Sequence, residues 1–72
     1  MHRYAIIAFW SPEDNAWIAD APDLKSCSAF GDSPEAAVVQ LRTAMEAWLA
    51  AAREAGMDIP RPQFQRHHEA AE

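Results

Sequence analysis

A single helical pattern, running from Ser33 to Ala55, constrains the fold of this chain more than any other feature. Apolar residues recur there at spacings of three and four, which places them on one face of an α-helix. Because the chain has only 72 residues, it forms one domain at most, and this helix is its largest element. The residues expected on its buried face are Val38, Leu41, Met45, Trp48, Leu49 and Ala52.

The residues that flank this pattern favour a helix start and a helix stop. Ser33 can cap the first turn, Pro34 suits the first helical position, and Glu35 complements the helix dipole. If Asp32 caps instead, Glu35 stands at the capping-box position. Gly56 is the expected left-handed residue that ends the helix.

Three short strands are predicted before the helix, at Arg3 to Trp10, Ala16 to Asp20 and Ser26 to Phe30. The segment Ser11 to Asn15 has the composition of a hairpin turn, in which Asn15 tolerates a left-handed conformation. The expected fold class is therefore α+β: a three-stranded antiparallel β-meander with one long α-helix packed on one face.

The first predicted strand is apolar on both of its faces. One helix covers only one face of the sheet, so either Tyr4, Ile6 and Trp10, or Ile7 and Phe9, must face water. An exposed apolar face in so small a protein indicates an interaction surface, and we expect a dimer or a dimer of dimers. The residues predicted for the oligomer or partner interface are Tyr4, Ile6, Ile7, Phe9, Trp10 and Trp17.

The charge and the composition limit the classes of partner. The net charge is −5, and the six Lys and Arg residues are scattered along the chain. This distribution disfavours a nucleic-acid partner and suits a basic protein partner. A charge of this size is also typical of a small protein in which it only maintains solubility. The N-terminal apolar run ends at Ser11-Pro12, so it is too short to span a membrane. One cysteine fits a reducing compartment, and a cytoplasmic location is expected.

No catalytic, cofactor or metal site is predicted. A nucleophilic Cys27 would need a nearby base, and the three histidines, His2, His67 and His68, lie near the chain ends. A buried structural thiol is therefore the favoured interpretation of Cys27. The carboxylates are spread over turns and strand ends, where each has a local role: Asp14, Asp20, Asp23, Asp32 and Glu35.

The stretch PDLKSCSAFGDSPEAA, from Pro22 to Ala37, resembles the signature of the HicB family of bacterial antitoxins. Trp48-Leu49, Gly56 and the Ile59 to Pro62 segment also fit the family pattern. Lys25-Ser26 departs from it, since the family commonly has Pro-Gly there. The matching residues of the loop and the helix start are Pro22, Asp23, Leu24, Cys27, Gly31, Asp32, Ser33 and Glu35.

The resemblance implies a truncated ribonuclease-H-like core without its catalytic carboxylates, over residues 1–62. Residues 63–72 have no core pattern, so a flexible tail is expected there. The resemblance also implies a type II antitoxin, not an enzyme, that neutralises a small basic mRNA-cleaving HicA-like toxin by covering its active site. The family's DNA-binding domain lies beyond the core, so no specific DNA binding is expected of this chain alone. Two alternatives are a stand-alone HicB-like homo-oligomer with a ligand-binding or structural role, and a degenerate metal-dependent nuclease.

Overall fold

A computed structural model describes residues 3–64 as a three-stranded antiparallel sheet with one α-helix packed on it. The elements are β1 (Ile7–Ser11), β2 (Ala16–Asp20), β3 (Ser28–Gly31) and α1 (Pro34–Glu54). The strands lie in the order β1-β2-β3, so β1 and β3 are the two edges. The predicted α+β meander with one long helix is confirmed. No helix in this part of the chain has the length and apolar character needed to cross a membrane.

β1 begins at Ile7 rather than at Arg3, and it extends to Ser11. Ile7 pairs with Asp20, the last residue of β2. Because the chain turns away after Asp20, residues 3–6 have no strand beside them and form no ladder. Tyr4 and Ile6 nevertheless pack against the core.

β3 begins at Ser28 rather than at Ser26 and ends at Gly31. Ser26 has a φ of 58°, which is a left-handed conformation that does not occur in a regular strand. The extended segment therefore starts only after Cys27. At the β1–β2 turn, Asn15 adopts a φ of 52°, as its residue type predicts.

Ser33, not Asp32, is the N-cap of α1. Its backbone is extended, with a φ of −143°, and its Oγ accepts a hydrogen bond from the Ala36 N–H at 3.0 Å. Pro34 is the first helical residue, and Glu35 lies in the first turn, where its charge complements the dipole. The predicted helix start, with Ser33 as its cap, is confirmed.

The helix ends in a Schellman motif around Gly56, which has a φ of 74°. The Gly56 N–H donates to the Arg53 carbonyl at 3.1 Å, and the Met57 N–H donates to the Ala52 carbonyl at 2.9 Å. These bonds satisfy two carbonyls that have no partner within the helix. The prediction that Gly56 stops the helix is confirmed.

The core lies between α1 and the sheet. Val38 and Trp48, expected on the buried face, are half-buried against it, whereas Ala37 is fully buried and was not predicted. Ala37 faces Gly31, where an added Cβ would lie 2.3 Å from the Ala37 backbone nitrogen. The glycine therefore allows α1 to approach β3. The buried core residues are Ala19, Ala21, Leu24, Cys27, Ala37, Leu41, Met45, Leu49 and Ala52.

Candidate partner-binding face

The sheet face opposite α1 carries an apolar row across all three strands. Phe9 pairs with Ile18, and Ile18 pairs with Phe30, so the three side chains are cross-strand neighbours. Phe9 is 44 % exposed and Phe30 is 54 % exposed. Together with Ile7, which is 38 % exposed on the same face, these residues form what we call the open sheet face.

The other face of the sheet is the one that α1 covers. Trp17, Ala19 and Ala29 belong to the core or pack against it, and Ala19 is fully buried. Because side chains alternate along a strand, Ile18 and Phe30 must point away from the helix. The structure thus resolves the alternative that the sequence left open: Ile7 and Phe9 face outward.

β1 is exposed on its helix-facing side as well. Ala8 is exposed, and Trp10 is 45 % exposed even though its indole meets that of Trp17 edge to face, with 5.8 Å between the ring centroids. Consecutive residues of β1 are therefore accessible to solvent on both faces of the sheet.

The six residues predicted for an interface fall into two groups. Tyr4, Ile6 and Trp17 are half-buried and pack against the core. Ile7, Phe9 and Trp10 are exposed. Sequence reasoning missed Ile18 and Phe30, whose position beside Phe9 depends on strand register. The alternation of side chains along β2 and β3 could have found them, because it places Ile18 on the face opposite Trp17 and Ala19, and Phe30 on the face opposite Ala29. The members of the open sheet face are Ile7, Phe9, Ile18 and Phe30.

Carboxylates lie at both ends of the open sheet face. In an antiparallel meander β1 and β3 run in the same direction, so Glu13 and Asp14 in the first turn lie at the same end of the sheet as Asp32. At the opposite end, the Asp20 carboxylate accepts a hydrogen bond from the Ser28 hydroxyl at 2.7 Å. An apolar centre with acidic ends suits a partner with an apolar contact surface and a basic rim.

The motif loop between β2 and β3 is a structural element of the core. The Ala21 N–H donates to the Cys27 carbonyl at 3.0 Å, and the Leu24 N–H donates to the Ala21 carbonyl at 3.0 Å. Leu24 and Cys27 are buried, and the Trp48 indole donates to the Lys25 carbonyl at 3.0 Å. The loop is thereby fixed to both the core and α1.

Cys27 lies in this loop as a free, buried thiol. Burial raises the pKa of the Cys27 thiol, and the negative charge of Asp20 raises this pKa further. A thiol shifted in this direction is a poor nucleophile at neutral pH. Its position therefore suits packing rather than reaction.

Asp23 ties the motif loop to the segment that follows α1. Its Oδ2 accepts hydrogen bonds from the backbone N–H groups of Gln63, at 2.9 Å, and Phe64, at 3.1 Å. The Tyr4 hydroxyl donates to the Pro60 carbonyl in the same segment. Residues 65–72, most of the predicted tail, lie outside the described residues, so its flexibility stays a prediction. Pro22, the neighbouring motif residue, is exposed.

Within residues 3–64, no group of three or more His, Cys, Asp or Glu side chains is arranged to hold a metal ion. Asp14 accepts a hydrogen bond from the Ser11 hydroxyl at 2.9 Å, while Asp20 and Asp23 have the partners described above. His2, His67 and His68 lie outside the described residues. The Asp14, Asp20 and Asp23 carboxylates serve the first turn, the end of β2 and the C-terminal segment.

No protein-family profile matches this chain, and neither a curated protein nor a solved structure is similar to it. The resemblance to the HicB family therefore rests on the motif residues alone.

Proposed function

We propose that this protein is an antitoxin that binds a small basic mRNA-cleaving toxin of the HicA type and covers its active site. The proposal is supported by the motif residues from Pro22 to Glu35 and by the net charge of −5. It assigns no catalytic step to this chain. The site that binds the toxin is the open sheet face.

The observation that carries the proposal is the apolar row of exposed Phe9, half-buried Ile18 and exposed Phe30 between acidic ends of the sheet. Aromatic side chains at the centre of a patch are typical anchors of protein interfaces. A nuclease that binds RNA presents cationic groups to phosphates. The carboxylates of Glu13, Asp14 and Asp32 are suited to contact those same groups, so that the antitoxin and the RNA compete for one surface.

The test uses the basic protein encoded next to this gene and measures its ribonuclease activity with and without this chain. Wild-type chain should suppress cleavage at a stoichiometric ratio. Phe30→Asp should weaken inhibition by roughly 30-fold or more, because it removes an aromatic anchor and a charge buried in the interface is costly to desolvate.

Val39→Asp is the matched control. Val39 is 62 % exposed and lies on α1, the other side of the molecule from the open sheet face. It should inhibit as the wild type does. Failure of the wild-type chain to bind or inhibit the neighbouring toxin would contradict the proposal, and cleavage of RNA by the chain itself would reassign it to a nuclease.

A further inference from the structure

β1 is an unprotected sheet edge. It pairs only with β2, and none of the described backbone hydrogen bonds outside the sheet and the helix involves residues 7–11. Its sequence, IAFWS, contains no charge, proline or glycine, which are the usual devices that keep an edge strand from pairing. Ile7 and Phe9 are exposed on one face, and Ala8 and Trp10 on the other. Such an edge is a template for pairing with another strand, whose side chains would meet apolar neighbours on both faces.

We propose that β1 pairs antiparallel with β1 of a second copy of this chain, about a two-fold axis that passes through Ala8. The two sheets then form one continuous six-stranded sheet. In this register Ala8 lies opposite the partner's Ala8, and Ile7 lies opposite the partner's Phe9. Trp10 lies opposite the partner's Ile6, a half-buried residue just before β1, so apolar side chains meet on both faces once the pairing extends one residue beyond the strand.

Charge complementarity supports this register. Residues 4–11 carry no ionisable group other than the Tyr4 phenol, so the paired strands bring no like charges together. Continued beyond the strand, the same register brings Arg3 opposite the partner's Glu13 in the acidic turn after β1. Both residues are exposed, and the two-fold axis generates this ion pair twice.

Two other occupants fit the edge less well. Residues 65–72 read QRHHEAAE, whose apolar side chains are two alanines, so they have little to place against Phe9 and Trp10. Packing two open sheet faces against each other would cover Phe9 and Phe30. It would leave Ala8 and Trp10 in water, because they lie on the opposite side of the sheet.

The area available indicates a dimer of moderate affinity. The exposed parts of Ile7, Phe9 and Trp10 amount to roughly 250 Å² per chain, or about 500 Å² for two chains. Complete burial of this area would correspond to the lower end of specific interfaces, near 1,000 Å² in total, because interfaces are a little more than half apolar. Strand pairing covers only part of it, so we expect a dimer of moderate affinity at most. The dimer uses Ile7 and Phe9 at the β1 edge of the open sheet face, whereas Ile18 and Phe30 stay accessible on β2 and β3, so this inference does not depend on the proposed function.

Sedimentation equilibrium of the full chain, from about 1 to 100 μM, tests the pairing by mass. The chain of 8.0 kDa should form a dimer of about 16 kDa, which is twice that mass. Ala8→Glu and Ala8→Lys should each raise the dissociation constant by roughly tenfold or more, because like charges then meet at the two-fold axis. An equimolar mixture of the two variants should restore a dimer, since the charges become opposite.

A second pair of variants tests the register through the proposed ion pair between Arg3 and the partner's Glu13. Arg3→Glu alone and Glu13→Arg alone should each weaken the dimer about two- to fivefold, and the double variant should recover it. Phe30→Glu, on the far strand, should leave the dimer intact. Circular dichroism establishes that each variant is folded.

Three results would overturn the inference. The first is a wild-type chain that stays monomeric over the whole range. If a chain truncated after Phe64 then forms a dimer, residues 65–72 rather than a second copy occupy the edge in the full chain. The second is a dimer that Ala8→Glu leaves as tight as the wild type. The third is a dimer that Phe30→Glu dissociates and the Ala8 variants do not.

Discussion

The Asp23 carboxylate accepts a hydrogen bond from the backbone N–H of Gln63 at 2.9 Å, across forty positions of sequence. Asp23 belongs to the motif loop, and Gln63 belongs to the segment after α1. Asp23 also accepts a hydrogen bond from the Phe64 N–H. Together the two hydrogen bonds hold the segment after α1 against the loop that follows β2. Asp23 therefore has a structural role, since it joins the motif loop to a segment that is distant in sequence.

Removing this carboxylate should release the C-terminal segment. Asp23→Ala leaves two backbone N–H groups without their acceptor, and we expect a loss of about 0.5–1.5 kcal/mol in the free energy of unfolding. Amide hydrogen exchange at Gln63 and Phe64 should accelerate more than exchange in the core. Asp58→Ala, at an exposed carboxylate of the same segment, is the control and should change neither quantity. Unaltered exchange at both amides in Asp23→Ala would contradict this role.

Ser26 is a position where glycine should stabilise the fold. Its φ of 58° is unfavourable for an L-residue with a Cβ, at a cost of about 1–2 kcal/mol, and glycine lacks that cost. Since glycine also loses more backbone entropy on folding, the net gain of Ser26→Gly should be about 0.5–1 kcal/mol in urea unfolding. Lys25→Gly, at the neighbouring residue with a negative φ, should stabilise nothing. If Ser26→Gly were less stable than the wild type, the left-handed conformation of Ser26 would not be a source of strain.

The two glycines should respond differently to alanine. At Gly31 a Cβ would lie 2.3 Å from the Ala37 nitrogen, so Gly31→Ala must push α1 away from β3 and should cost roughly 3 kcal/mol or more. At Gly56 a Cβ meets open space, and only the φ of 74° opposes it, so Gly56→Ala should cost about 1 kcal/mol. Thermal unfolding of the two variants measures the difference. Equal losses would show that packing at Gly31 is looser than described.

Cys27 should make the stability of the fold decline at high pH. Burial, with the charge of Asp20, raises the pKa of the Cys27 thiol in the folded state, so the folded chain holds this proton more tightly than the unfolded chain does. The contribution is full below the ordinary thiol pKa of about 8.5 and is lost as pH rises from there through the raised pKa. The slope from this one group is at most about 1.4 kcal/mol per pH unit.

Urea unfolding of the wild type and of Cys27→Ala at several pH values isolates this contribution. The alanine variant loses packing at every pH but has no thiol to titrate. The difference in unfolding free energy between the two chains should therefore narrow above about pH 8.5. A difference that stays constant from neutral to alkaline pH would contradict the shift.

The sequence predicted the elements whose determinants are local. The Ser33 cap, the Gly56 stop and the left-handed Asn15 each depend on a residue's own chemistry, and all three are confirmed. The start of β3 could not be predicted, because the left-handed φ of Ser26 follows from the closed loop between Ala21 and Cys27.

The composition of the candidate site was only partly predictable for the same reason. Apolar alternation identified Ile7 and Phe9 as one face of a strand, but it did not decide whether that face meets the helix. That choice depends on register: the pairing of Ala8 with Ala19 sets which side of β1 faces α1. Phe30 joins Phe9 only through the central Ile18, so its place in the open sheet face is a tertiary property.

We predict that this chain alone binds no operator DNA specifically. A specific binder places a helix or ribbon in the major groove and makes several phosphate contacts with Lys and Arg. The only helix within residues 3–64 uses one face to form the core, and its exposed charges come from three acids and two bases. The whole chain carries a net charge of −5. The charged residues exposed on α1 are Glu35, Arg42, Glu46, Arg53 and Glu54.

A gel-shift titration at physiological salt measures this binding, with the DNA upstream of the gene as probe and a shuffled fragment of equal length as control. We expect no retardation of either fragment at nanomolar to low micromolar protein, because phosphates are repelled by the acidic surface and the described residues offer few cations to replace counterions. Charge reversal of Glu46 and Glu54 to lysine should produce weak binding that treats both fragments alike, as nonspecific electrostatic attraction does. Retardation of the upstream fragment alone by the wild-type chain, in the presence of competitor DNA, would contradict the prediction and assign a DNA-reading surface to this protein.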